Sequence, residues 1–254
     1  PAPDLVIVND EDLTYAVVRP DETSLSCLTG SLGSLHDPMA RSLAWSMLHN
    51  LVRDAVIDAA LFVQAVLVHA DDDTEPSTLT VLLNQALRVT CRYADPHTRS
   101  VLLERLVADD STGPSTEGEP ATVPGGWGRL RAAAPGSDAQ IVRARAWLEA
   151  AGQARLLGEA GSAQVAARAR EILDGALPGL ELDADMRWRA LTALARLDAV
   201  SANELEAQRK ADPTASGITH HLQASSSMPH QDLKAEVFER LLSDTTLSND
   251  HIDA

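Results

Sequence analysis

At 254 residues the chain is long enough to bury a sizeable core as one large or two small domains. Its formal net charge of −16 excludes a phosphate-neutralising nucleic-acid binder, which needs clustered Lys and Arg. With 44% hydrophobic but only 3% aromatic residues, packing must rest on Leu, Ala and Val, which suits stacked helices better than a β-sandwich.

The first element is a short apolar run, Leu5 to Val8, which reads as a strand and leads into the acidic turn Asn9 to Asp12. After Tyr15 nearly every apolar stretch has helical spacing, so residues 1–16 read as the seam of a piece cut from something larger. Asp37-Pro38 places a capping Asp before a Pro at the first helical position. Behind it Ala40, Leu43, Ala44, Met47, Leu48 and Leu51 form one stripe. The most apolar run, 59–68, is too short to span a bilayer and contains Gln64, so no membrane role is expected. No basic, then apolar, leader opens the chain, which predicts a soluble, cytoplasmic protein.

Leu79, Leu82, Leu83, Ala86 and Leu87 mark a helix over 78–93, and Asp95-Pro96 starts another with Leu102, Leu103, Leu106 and Val107 inward. Residues 110–128, rich in Gly, Pro, Ser, Thr and Glu, read as a flexible loop between a first helical half, 17–109, and a second, 129–254. Ser137 with Gln140, and Ser201 with Glu204, have capping-box spacing. Later stripes are Val165, Ala169, Ile172 and Leu173, then Trp188, Leu191, Leu194 and Ala195, then Leu233, Val237 and Leu241; Asp212-Pro213 reads as one more cap. Helices of about 10–17 residues on short linkers predict an all-α fold of antiparallel pairs, stacked as a HEAT- or armadillo-like superhelical bowl behind one N-terminal strand.

Candidate chemistry is sparse. No H-E-x-x-H, Walker loop or G-x-S-x-G elbow is present. Adjacent His220 and His221 point about 100° apart on a helix and cannot share one metal, which needs an i, i+4 pair. His49 and Arg53 do have that spacing, but near a helix end a capping or surface role suits two cations. Asp71-Asp72-Asp73 lacks the spaced ligands and central Gly of a calcium loop and reads as a solvated helix terminus. Pro124 to Gly128 has no preceding strand and no Lys-Ser/Thr, so linker flexibility with Trp127 docked on a helix is the better account. Trp45, Trp147 and Trp188 lie in helical stripes and are assigned to the core. Cys27 and Cys91 read as buried thiols of a reducing compartment, though spacing alone leaves a disulfide open. No catalytic residue and no metal ligand is assigned, and no substrate-binding residue can be named.

Asn9-Asp10-Glu11-Asp12-Leu13-Thr14-Tyr15-Ala16 resembles the join between a small β-sandwich and the C-terminal helical domain in bacterial zinc aminopeptidases of the aminopeptidase N family. Colinear matches follow: Ala40-Arg41 with Trp45; Arg53-Asp54-Ala55; Pro135-Gly136-Ser137-Asp138-Ala139-Gln140; Gly179-Leu180-Glu181-Leu182-Asp183 with Arg187-Trp188; and Asp212-Pro213-Thr214-Ala215-Ser216-Gly217. Together they resemble the endoplasmic-reticulum-aminopeptidase-like C-terminal domain. The resemblance implies a helical bowl over an upstream catalytic domain that uses a zinc-bound water and a Glu base to remove N-terminal residues from peptides. It implies no cofactor in this segment and zinc only in the parent. The expected partners are the catalytic domain of the same chain and peptide substrates, without nucleic acid or membrane. The family's catalytic Tyr belongs to the absent catalytic domain, and Tyr15 is expected to pack at the seam. Relatives continue with more helices beyond the region matching 244–254, and the loop 110–128 departs from them in length. The competing reading is a free-standing helical-repeat scaffold that binds another protein.

Overall fold

A computed structural model describes residues 3–13, 16–72, 75–113 and 121–253. The chain divides into two compact units, Pro1–Ala132 and Ala133–Ala254. The expected all-α class holds: thirteen α-helices are present among the described residues, accompanied by a single two-stranded ladder.

In the first unit the helices are α1 (Glu22–Ser31), α2 (Pro38–Arg53), α3 (Ala59–His69), α4 (Pro76–Arg92), α5 (Pro96–Val107) and, after the hairpin, α6 (Gly126–Ala132). The caps read from sequence form: Asp37 accepts from Met39 N at 3.0 Å, and Asp95 accepts from His97 N at 2.9 Å. Each helix from α2 to α5 packs on its successor, and α2 and α3 also reach the next but one. Buried stripes make that stacking favourable, with Leu48 and Leu51 on α2, Leu82 and Ala86 on α4, and Leu102 and Leu103 on α5. Each fully buried Leu or Phe contributes about 1.5–3 kcal/mol against exposure. Phe62 of α3 meets Trp45 edge-on at 6.3 Å.

Two expectations fail in this unit. Leu5 to Val8 forms no ladder; Val6 N instead donates to Ser24 Oγ at 3.2 Å, and Val6 and Val8 are exposed. Alternation and apolarity describe one strand's side chains, but a strand also needs an edge to pair with, and none lies beside 5–8 among the described residues. The stretch read as a flexible loop holds β1 (Asp110–Gly113) and β2 (Ala121–Pro124), paired antiparallel with Asp110 opposite Pro124 and Gly113 opposite Ala121. Residues 114–120 between them, like Tyr15, lie outside the described residues.

The glycines that follow are required by packing rather than flexibility. A Cβ on Gly126 would stand 1.9 Å from Leu106 O, and one on Gly128 2.2 Å from Asp109 O. Their absence lets α6 abut the end of α5, where Trp127 N donates to Ala108 O at 2.9 Å and the indole is buried. The expected docking of Trp127 is therefore present, on a tight corner.

The second unit holds α7 (Asp138–Ala151), α8 (Gly158–Leu173), α9 (Ala184–Arg196), α10 (Ala202–Ala211), α11 (Ala215–Ser227), α12 (Gln231–Ser243) and α13 (Asn249–Asp253). Its centre is α9, packed by α7, α8 and α11, with Trp188, Leu191, Leu194 and Ala195 all buried. The stripe on α12 is not buried. Leu233 and Val237 are half-buried, Leu241 and Leu242 are exposed, and no residue of the helix is buried. Periodicity reports an amphipathic helix; it does not supply the surface that covers it.

Candidate functional site

The motifs that carried the family resemblance converge on structural nodes. Arg53-Asp54-Ala55 ends α2: Val56 N donates to Leu51 O at 2.8 Å and Ala55 N to Val52 O at 3.0 Å, the Schellman pattern, with Ala55 at φ 54°. Ser137 caps α7 by accepting from Gln140 N. The Gln140 side chain does not complete a capping box: Oε1 accepts from Gly136 N at 2.8 Å and Nε2 donates to Pro178 O at 3.0 Å, tying the start of α7 to the turn before α9. Gly179, at φ 78°, sits where a Cβ would meet Gly136 N at 2.5 Å. Ser201 likewise accepts from Glu204 N, while the Glu204 carboxylate pairs with Arg170 instead of returning to the cap.

Asp212 is not the cap predicted for it. Thr214 caps α11 by accepting from Gly217 N at 3.0 Å, because Pro213 stands one residue before the cap rather than at the first helical position. Asp212 instead accepts from Trp188 Nε1 at 2.9 Å and from Thr214 Oγ1 at 2.6 Å. The Thr214 hydrogen bond, then the indole, hold its carboxyl below the usual value against a small burial effect. A Cβ on Gly217 would stand 2.3 Å from Asp212 O, so this glycine lets α11 close onto the bend. His220 and His221 flank the same indole at 6.3 and 6.2 Å. Burial lowers the His221 pKa; Glu206 opposes that and Arg209 reinforces it.

The remaining sequence candidates do not assemble. His49 leans on Phe62 at 5.7 Å, half-buried rather than capping, and its pKa is lowered by burial and by the charges of Arg53 and Arg88. Asp71 pairs with Arg129 of α6. Asp73 lies outside the described residues. Trp45, Trp147 and Trp188 are all buried, as expected. Cys27 and Cys91 are half-buried and not bonded to each other. Among the described residues no group of three or more His, Cys, Asp or Glu is placed to hold a metal.

One polar cleft, of about 130 Å³, opens in the second unit where α7, α9 and α11 meet. On α9, Asp185, Trp188, Arg189 and Arg196 share a face through spacings of three, four and eleven; Arg145 and Glu149 do so on α7, and His220 and Gln223 on α11. Charges pair within α9 and between α7 and α9. Arg189 Nε donates to Asp185 at 2.9 and 3.0 Å, Arg145 reaches the same carboxylate at 3.0 Å, and Arg196 reaches Glu149 at 2.8 Å. Burial would raise the Asp185 pKa, but the Arg189 hydrogen bond and the Arg189, Arg145 and His220 charges hold it below the usual carboxylate value. From sequence, no role was assigned to Arg145, Glu149, Asp185, Arg189 or Arg196. The only signal was opposite charge at i, i+4, in Arg145/Glu149 and Asp185/Arg189.

The family model described as ERAP1-like C-terminal domain matches residues 5–254. The chain belongs to that family. An aminopeptidase N of Streptomyces lividans is 30% identical to this ERAP1-like C-terminal domain over 249 residues, covering 97% of this chain and 26% of that protein. The chain thus spans about a quarter of the relative's length. The ERAP1-like C-terminal domain has most of its family motifs at helix ends and crossings, and of the motif residues only Trp188 also lines the cleft.

Proposed function

We propose that the chain is the non-catalytic C-terminal domain of a cytoplasmic zinc aminopeptidase, one that removes N-terminal residues from peptides. The observation that carries this reading is the match to an aminopeptidase N across nearly the whole chain but only 26% of the relative. In this reading residues 1–16 form the seam to a preceding β-sandwich, and the catalytic zinc lies in the part of the parent outside this chain. In this reading the domain closes over the active site and walls the peptide chamber, limiting substrate length. Such lids exclude water and complete a site on closure. The acidic surface suits a partner that is peptide or protein rather than nucleic acid.

The test compares the parent with a form lacking this domain, on peptides of increasing length and on a single-residue chromogenic amide. The proposal predicts that kcat/KM depends on peptide length only when the domain is present. An unchanged length profile after its removal contradicts the chamber role. A free-standing scaffold would instead have no peptidase sequence in its reading frame.

A further inference from the structure

The cleft between α7, α9 and α11 has hydrogen-bonding capacity of both signs left over. Arg189 uses only Nε, Arg145 only Nη2 and Arg196 only Nη1, so other N–H groups of three guanidinium forks have no partner among the described residues. Glu149 accepts a single bond and keeps acceptor sites in hand. Three guanidinium groups against two carboxylates leave a local positive charge in a chain of net −16. Trp188, Leu148 and Ala193 add an apolar wall. Arg196 reaches its place because position 152 is glycine: a Cβ there would stand 2.8 Å from Arg196 Cδ.

Size narrows the occupant. A cavity of about 150 Å³ holds benzene, so the 130 Å³ here admits on the order of six non-hydrogen atoms. That matches a small zwitterion in size. We propose that the cleft binds a free α-amino acid with a small side chain, its carboxylate on the arginine forks, its ammonium on Glu149 and its side chain against Trp188. The choice of ligand rests on the aminopeptidase reading, since such a parent releases free amino acids; the demand for both charges comes from the cleft. Occupancy would tell this domain that product has accumulated.

The experiment is calorimetry and tryptophan fluorescence on the purified chain with L-alanine, propionate and ethylamine. Alanine should bind saturably, with propionate and ethylamine at least about tenfold weaker, since each lacks one charged contact. Arg196→Gln and Glu149→Gln should each weaken alanine about tenfold or more with an unchanged far-UV spectrum. Glu149→Gln should also abolish the preference for alanine over propionate, which loss of packing would not do. Gly152→Ala keeps every charge, displaces the Arg196 stem and should weaken alanine as well. Absence of saturable alanine binding up to about 10 mM overturns the proposal. Equal affinity for propionate overturns it too, by showing a carboxylate subsite alone. Because binding is read without hydrolysis, either failure leaves the aminopeptidase reading to its own peptide-length test.

Discussion

Replacing Trp188 by Phe removes a donor that joins the middle of α9 to the bend before α11. The indole is 1% exposed and its Nε1 donates to the Asp212 carboxylate at 2.9 Å. A hydrogen bond to a charged group is worth about 1.5–3 kcal/mol, and because Asp212 is half-exposed the lower end applies. The space left by the smaller ring adds about 1 kcal/mol. Trp188→Phe should therefore cost about 2.5 kcal/mol, a large fraction of a typical stability of 5–15 kcal/mol. Urea denaturation followed by far-UV circular dichroism measures it, and a cycle with Asp212→Ala isolates the bond. The double variant should cost about 1.5 kcal/mol less than the two single variants together. Additivity within about 0.3 kcal/mol would show that the Trp188–Asp212 bond contributes nothing and refute the reasoning.

Four other expectations test the fold at separate points. Ala55→Gly should stabilise by about 1 kcal/mol in the same assay, because Ala55 holds the left-handed position of a Schellman motif that glycine occupies without strain. Gly126→Ala should destabilise by about 2 kcal/mol or more, since its Cβ would meet a backbone carbonyl that cannot rotate away. Leu242→Glu on the uncovered face of α12 should change the urea midpoint by less than about 0.5 kcal/mol equivalent. The fourth concerns pH. Folding lowers the pKa of His49 and His221, as it does for Asp185 and Asp212. Each contribution is present above the unfolded pKa and lost as pH falls through the folded one. The thermal midpoint should thus fall below about pH 6.5 through the histidines, and again below about pH 4 through the carboxylates. His49→Gln should flatten the first limb only.

Local signals were legible wherever the chain satisfies itself. Asp37 and Asp95 precede Pro, so cap and first helical residue were both readable, and the apolar spacing of α5 and α9 gave their buried faces. Signals that need a distant partner misled. The Leu5–Val8 run lacked an edge to pair with, and the α12 stripe lacked a cover. Gln140 and Glu204 were drawn from their capping boxes by Pro178 and Arg170, and Asp212 was drawn to Trp188. The glycines of 125–128 look the same in sequence whether they loosen a loop or admit a neighbouring backbone. The cleft was least legible, because Arg145, Glu149, Asp185 and Arg196 exchange partners between helices and each alone reads as a surface charge.

The most direct test of the account asks whether this domain contains any of the chemistry proposed for its parent. The purified chain, incubated with equimolar zinc, is assayed for aminoacyl-amide hydrolysis while bound metal is measured by atomic absorption. The account predicts neither turnover nor stoichiometric zinc. Zinc-dependent hydrolysis that persists through purification to homogeneity would contradict it.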